Sequence, residues 1–429
     1  MIWQPEIESA PRQAMEALQL TRLRSTVEHV LHRVPVLGER LRRVGIGSGQ
    51  DIRSLADLRR LPFATKADLR DNYPFGMLAV PAEQLVRIHA SSGTRGKPTI
   101  VGYTANDVAI WSEVVARCLV MAGARPGMVV HNAYGYGLFT GGLGLHQGAE
   151  RLGCTVIPIS GGFTERQAML LRDLGGQVLC STPSYAITIA EAIEAAHVDP
   201  RTLKLAIGIF GAEPWTEELR LAIEQRLHLV ALNIYGLSEI VGPGVSAECA
   251  TGRNGSHVQE DHFLPEIIDP QSGEPVPPGQ EGELVFTTLS KEALPLIRYR
   301  TGDISALDVR PCVCGRSTVR MARIRGRYDD MLIIRGVNLY PSEVERVLLR
   351  VDGVVPHYQL ILARPGALDE VRLRCEALRP DEDREALSAR IRHALHEATG
   401  LSFVVDVLER HGLPRSEGKA LRVIDERKG

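Results

Sequence analysis

The sequence predicts an α/β protein with a large N-terminal domain and a small α+β domain at the C-terminus. The large domain is expected to hold mostly parallel βαβ sheet plus a β-rich segment. Three observations carry this. Short β-branched runs alternate with stretches of helical period from about residue 84 to 235, the pattern of βαβ units with helices on both faces of a sheet. From about 256 to 325 the helical signals vanish, and strands alternate with Gly/Pro turns. The last hundred residues return to a small mixture of helix and strand. A chain of 429 residues is long enough for two or three domains and a large core.

The first eighty residues read as helical. In RQAMEALQLTRLRSTVEHVLHRV, Leu20, Leu23, Val27, Val30 and Val34 recur at three- and four-residue steps, an amphipathic stripe. The β-branched runs that follow are QLVRI, MVVHN, TVIPI, QVLC, LAIGIF and LVALNI, with DVAIWSEVVARCLVMAG and TEELRLAIEQRL as helices between them. GELVFTTL is a strand set off by the turn-rich DPQSGEPVPPGQEG. Near the C-terminus Pro341 fits the first turn of the helix SEVERVLLRV. Strands YQLILA and EVRLRCEAL and a helix over 383–398 complete the chain. The expected partition is 1–326 and 327–429, meeting at GRYDD.

Hydrophobic residues make up 44% and charged residues 24%, ordinary values for a globular protein. A formal net charge of −2 without a basic stripe leaves no footprint for nucleic acid or an anionic membrane surface. The opening MIWQPEIESAPRQAM lacks the apolar core of a signal peptide, and runs such as MLII are far too short to span a bilayer. Seven cysteines, an odd number scattered along the chain, argue against a disulfide framework and for a reducing compartment. A cytoplasmic enzyme is expected.

Residues 91–98 read SSGTRGKP. Gly93 and Gly96 lack Cβ atoms, so backbone N–H groups can approach an anion closely. Ser91, Ser92 and Thr94, with Lys97, add donors around phosphate oxygens. The loop follows the strand LVRIHA, the sort of position where ligand loops emerge from α/β sheets. It is not a P-loop: Pro98 stands where the metal-binding hydroxyl belongs. A polar surface turn is the plain alternative.

The loop has company. YGLSE at 235–239, YRTGD at 299–303, GRYDDMLIIRGVNLYPSEVE at 326–345 and PRSEGK at 414–419 follow it in order. Together they resemble the motif set of the adenylate-forming enzymes. HNAYGYGLFTGGLGLHQGAERLG, GAEPWTEELR, YGLSEIVGPGV and LPRSEGKALRVID are similar to the phenylacetate–coenzyme A ligase family and its aryl-acid relatives over essentially the whole chain. Arg95 departs from the pattern, standing where the family's loop usually has a second threonine.

The resemblance implies the adenylate-forming fold and a two-step reaction. A carboxylate attacks the α-phosphorus of Mg·ATP to give an acyl-adenylate and pyrophosphate, and the thiol of coenzyme A then displaces AMP. It implies Glu239 as the Mg²⁺ ligand and Asp303 as acceptor of the ribose hydroxyls, with Arg327 nearby. Gly211, Ala212, Glu213 and Pro214, with Asn233, Ile234, Tyr235 and Gly236, would frame the adenine. Tyr136 and Phe139 would flank a flat slot for an aromatic acid, although core aromatics would read the same way. Lys419 would neutralise the α-phosphoryl group, and Asp329 would be the hinge between half-reactions. The implied partners are an aryl acid, ATP and CoA, with a homodimer as the expected assembly.

Cys312-Val313-Cys314 lies downstream of Cys249 and His257. Three thiolates and an imidazole can close a tetrahedral zinc site, which some relatives are similar in having, but the C-x-C spacing is shorter than usual. Free buried cysteines are the alternative. Two further functional readings compete with a CoA ligase. One is a stand-alone aryl-acid adenylating enzyme that loads a carrier-protein thiol; the other, a non-catalytic nucleotide-binding module, is disfavoured because Lys419, Glu239 and Asp303 are all present.

Overall fold

Burial of the opening apolar stripe organises the N-terminal end. The computed structural model describes residues 1–91, 98–364, 366 and 368–428. Helices α1 (Pro5–Glu8), α2 (Arg12–Arg33), α3 (Pro35–Arg43) and α4 (Lys66–Asp71) occupy the first eighty residues. Leu23, Val27, Val30 and Val34 are buried as their spacing predicts, and Leu20 packs at the edge of the same cluster. Thr65 caps α4 in a capping box, its backbone N–H donating to Asp68 Oδ2 at 2.8 Å.

Strands β1 (Arg87–Ser91) and β2 (Thr99–Tyr103) form an antiparallel hairpin with Ser91 opposite Thr99. Residues 92–97 connect them and lie outside the described residues, so Ser92, Gly93, Thr94, Gly96 and Lys97 carry no structural account. The strand LVRIHA therefore feeds a hairpin, not the parallel sheet expected from α/β topology. Its β-branched pattern signals a strand but does not specify its partner.

The parallel sheet is built from β3 (Val129–Asn132), β4 (Thr155–Ile157), β5 (Val178–Ser181), β6 (Ile207–Gly211) and β7 (Val230–Leu237), in the order β4-β3-β5-β6-β7. Antiparallel strands β8 (Gly242–Glu248) and β9 (Ser256–Val258) extend it. Helices α5 (Ala105–Met121), α6 (Thr140–Leu152), α7 (Thr164–Asp173), α8 (Pro183–Ala195) and α9 (Glu217–Leu227) cover it. Val178 and Cys180 join one core with Trp111 and Leu145, whereas Leu179 joins the other with Tyr185 and Ile223. Both faces of β5 are thus buried, which is why its sequence is apolar without alternation.

The β-rich segment supplies β10 (Phe263–Ile268), β11 (Gly282–Thr288) and β12 (Tyr299–Ser305). Strands β13 (Leu307–Asp308) and β14 (Arg320–Met321) continue the central sheet beyond β9 to nine strands, while β15 (Gly326–Arg327) pairs with β12. The C-terminal part follows: β16 (Leu332–Ile334), β17 (Val337–Leu339), α10 (Pro341–Leu348), β18 (Val354–Ala363), β19 (Glu370–Ala377), α11 (Arg384–Thr399), β20 (Phe403–Leu408) and β21 (Val423–Asp425). Its sheet runs β20-β19-β18-β21, and its core is its own, with Ile334, Leu348, Leu360, Leu373 and Leu387 packed together. No helix among the described residues is long and apolar enough to cross a membrane.

Beneath β7, Arg220 and Glu248 form a buried pair, their side chains 1% and 4% exposed. Arg220 Nη2 donates to both Glu248 oxygens at 2.8 and 2.7 Å, and Nη1 donates to Ala231 O at 2.9 Å. Glu248 also accepts Asn233 N at 2.8 Å, fixing the strand that leads to Tyr235. Removing Glu248 leaves the buried Arg220 charge to the exposed Glu217 carboxylate, 3.1 Å from its Nε, and strands most of its guanidinium. Glu248→Ala should therefore lower the stability of the large domain by about 3–5 kcal/mol in urea denaturation.

Candidate active site

At the ends of β6 and β7 the neighbouring backbone, of β7 and β8 in turn, leaves no room for a side chain at Gly211 or Gly236. A Cβ at Gly211 would lie 2.1 Å from Ile234 O, and one at Gly236 would lie 1.8 Å from Gly242 O. Ala212, just beyond β6, has φ of 73°. Asn233 Oδ1 accepts Trp215 Nε1–H at 2.9 Å, and Ile234 is buried beside it. Glu213 does not face this frame with a free carboxylate: it accepts Ser184 N at 2.8 Å and Ala420 N at 3.0 Å. Pro214 follows it at the end of the same stretch.

Tyr235 extends across the gap to the β-rich segment. Its hydroxyl donates to Asp303 Oδ2 at 2.6 Å. Asp303 pairs with Arg327 across β12 and β15, with Arg327 Nη1 3.5 Å from Asp303 Oδ1. Arg327 is turned more fully to Asp329, donating through Nε at 2.9 Å and Nη2 at 3.0 Å. Burial pushes the Asp303 carboxyl up to about 6, with Arg327 and the Tyr235 hydroxyl opposing that rise.

Glu239 is buried at the turn after β7, with Lys66 Nζ of α4 3.6 Å away. The turn is tied down from behind. Tyr103 OH lies 3.3 Å from Ser238 O and 3.1 Å from Val241 O, and Lys291 Nζ donates to Ile240 O at 2.8 Å. Lys291 also sits 4.4 Å over the Tyr103 ring, and burial lowers its ammonium to about 8. The Glu239 carboxylate offers the oxygen donors that a hard cation takes, in competition with the Lys66 ammonium.

Tyr136 and Phe139 share the β3–α6 connection but do not form a matched pair of walls. Tyr136 OH accepts Asn132 Nδ2–H at 2.7 Å and lies 3.1 Å from His146 Nδ1. The ring set edge-on to Tyr136 is that of His146, at 5.8 Å between centroids. Phe139 stands 55% exposed at the start of α6. Lys419 is exposed on the C-terminal loop, close enough for its charge to act on Asp330.

The cysteine cluster lies apart, beyond β8. Sγ of Cys249, Cys312 and Cys314 and a ring nitrogen of His257 all fall within 4.8 Å of one another. Cys249 and Cys312 Sγ are 3.7 Å apart, and Cys314 Sγ is 3.4 Å from His257 Nε2. Donors around zinc at about 2.3 Å for sulfur would sit roughly 3.8 Å from one another, so the set fits a tetrahedral ion. His257 Nδ1 is engaged by Thr318 Oγ1 at 3.0 Å, leaving Nε2 for the metal. Gly252 N donates to Cys249 Sγ at 3.2 Å, and a Cβ there would lie 2.8 Å from Cys312 Sγ.

The structure thus gathers Gly211, Asn233, Tyr235, Asp303 and Arg327 around the ends of β6, β7 and β12. Sequence reading misses Lys66, Lys291 and His146. Lys66 carries no signal for this place in TKADLR, because its partner Glu239 is remote in sequence.

Residues 16–290 match the family AMP-binding enzyme, and residues 336–427 match the AMP-binding enzyme C-terminal domain. A phenylacetate-coenzyme A ligase of Thermus thermophilus is 53% identical over 446 aligned positions, covering 100% of both chains. A 2-hydroxyisobutyryl-CoA ligase solved in the postadenylation state with 2-HIB-AMP is 28% identical, with a TM-score of 0.92 over 99% of this chain and 92% of that one. The same ligase with 2-HIB-AMP and CoA in the thioesterification state, also 28% identical, gives a TM-score of 0.75 over 100% and 93%.

The raised Asp303 carboxyl has a signed consequence. The fold favours its neutral form, so the folded state binds more protons than the unfolded one between the two values. Stability of the ligand-free protein should fall as pH rises from about 4 through about 6, by roughly 3 kcal/mol for this group, and level off above. Asp303→Asn should flatten that part of the curve, as read by urea denaturation at a series of pH values.

Proposed function

Because the chain belongs to the AMP-binding enzymes and, within them, to the phenylacetate–coenzyme A ligases, it is an ATP-dependent acid–CoA ligase, and we propose that phenylacetate is its acid and that the residues above act as follows. The carrying observation is the 53% identity to a phenylacetate-coenzyme A ligase along the full length of both chains.

Adenylation brings a carboxylate against a polyphosphate, so the site has to neutralise charge and align the reactants. Ser91, Ser92, Gly93, Thr94, Gly96 and Lys97 grip the phosphates. Glu239 would hold Mg²⁺, which when bound supplies charge neutralisation on the phosphates. Asp303 accepts the ribose hydroxyls in its ionised form, and Arg327 keeps it ionised. Gly211, Ala212 and Pro214, with Asn233, Ile234, Tyr235 and Gly236, frame the adenine, the small residues among them and the tight backbone at Gly211 and Gly236 leaving room for a flat ring. Tyr136 and Phe139 line the acid pocket. Lys419 neutralises the α-phosphoryl group during carboxylate attack.

The two halves of the reaction require the small domain to turn, and Asp329 serves as the hinge between 1–326 and 327–429. Hinges are element-terminal positions that absorb a φ/ψ change. The higher TM-score to the postadenylation state supports reading the present arrangement as that of the first half-reaction. Cys249, His257, Cys312 and Cys314 hold a structural zinc. None of the seven cysteines is joined in a disulfide, which suits the cytoplasm. A homodimer is the expected assembly.

Pyrophosphate release across a panel of aryl acids tests the reading, with phenylacetate expected to give the highest rate. Chasing the purified adenylate with CoA and with carrier protein should give thioester with CoA alone. Lys419→Ala should slow acid-dependent ATP–pyrophosphate exchange by about 10²–10³-fold while CoA attack on supplied adenylate stays nearly unchanged. Equal loss of both half-reactions would make Lys419 a structural residue.

For the metal, elemental analysis of protein purified without chelator should find about one zinc per chain. Cys312→Ser combined with Cys314→Ser should abolish it; metal-free wild-type protein would remove the assignment.

A further inference from the structure

We infer that Thr182 and Glu213 form a docking site on the large domain for the loop that carries Lys419, which makes them positioning residues for adenylation. The inference rests on the role given to Lys419 above. That side chain is exposed and long, with many rotamers, and among the described residues no hydrogen bond or ion pair fixes its direction. Its reach is therefore set by its backbone.

The backbone is held on both sides of residue 419. On the preceding residue, Gly418 O accepts the hydroxyl of Thr182 at 2.8 Å. On the following one, Ala420 N donates to Glu213 Oε2 at 3.0 Å, while Glu213 Oε1 is itself fixed by Ser184 N at 2.8 Å. The loop is pre-shaped for this grip: Ser416 Oγ donates to Gly418 O at 2.8 Å and accepts Gly418 N at 3.2 Å. Beneath it Gly161 forms the floor, where a Cβ would come 2.6 Å from Glu417 O. Arg422 Nη2 closes the far side on Ser184 Oγ at 3.2 Å.

Every large-domain member of this grip lies on the N-terminal turn of α8 or on the connections after β4 and β6. Each bond from them to the loop crosses from one domain to the other, so it exists only while the small domain stands in this orientation. A loss of the grip should therefore fall on the first half-reaction. Thr182 has a second task within the large domain: its Oγ1 caps α8 by accepting Tyr185 N at 3.2 Å. Serine can perform both tasks and valine neither, so the pair of variants needs a readout that separates them.

Thr182→Val should slow acid-dependent ATP–pyrophosphate exchange about five- to tenfold, the effect of one lost neutral hydrogen bond. Thioester formation from supplied adenylate should stay within about twofold, and Thr182→Ser should behave as wild type. In a Lys419→Ala background, Thr182→Val should add no further loss of exchange. Amide hydrogen exchange over residues 414–422 of the ligand-free enzyme should accelerate in Thr182→Val and in Glu213→Ala. Equal damage to both half-reactions, failure of serine to rescue, or an undiminished effect without Lys419 would each overturn the inference. The hydrogen-exchange readout separates it from the reading of Lys419. Unchanged exchange refutes docking whatever Lys419 does, whereas faster exchange with a fully active Lys419→Ala enzyme keeps the docking and discards the catalytic role on which positioning depends.

Discussion

Arg415 spans the seam between the two domains, and the arrangement of the site depends on how that seam is held. Its guanidinium donates to Glu191 of α8 at 2.7 Å and, through two nitrogens at 2.7 and 2.8 Å, to Glu376 of β19. Around it stand further polar bridges. Thr216 donates to Glu345 through its backbone at 3.1 Å and its hydroxyl at 2.9 Å, and Arg410 reaches Glu194 at 3.0 Å. Ion pairs taken out of water gain Coulomb energy but lose hydration, so the net attachment is far weaker than the contacts suggest. That balance suits the turning of the small domain proposed above.

Two buried carboxylates near this seam show how partner geometry decides ionisation. Burial pushes Glu191 upward, yet His357 and Arg415 together hold it down to about 2. Asp303 is buried too, but its cation is farther away and divided: Arg327 is also engaged by Asp329. Its carboxyl consequently stays high. Glu191 is committed to structure, while Asp303 keeps acceptor capacity for hydroxyl groups offered by a ligand.

Much of the fold was legible because local signals agree with tertiary ones. The stripe through Leu23, Val27, Val30 and Val34 is buried, and Pro341 does open a helix. Strand existence was legible where strand pairing was not, as the hairpin of Arg87–Ser91 with Thr99–Tyr103 shows: alternation carries no information about the partner. The cysteine cluster has weak spacing in the sequence and is gathered in space, where β14 sets Arg320 opposite His257 and the Cys312–Cys314 turn lies beside it. Lys66 and Lys291 could not be found, since each acts on the Glu239 turn from a distant segment. Nothing in the sequence marks the bond of the Thr182 hydroxyl to Gly418, 236 positions away.

The chemistry of the seam also governs its thermodynamics. A joint dominated by ion pairs and hydrogen bonds hides less apolar surface than a hydrophobic one, and apolar hydration is what gives association its large heat-capacity change. Opening and closing across Arg415 should therefore carry a small heat-capacity term. The van 't Hoff line for domain closure would be nearly straight, while global unfolding, which exposes the apolar cores around β5 and β18, would follow a strongly curved one.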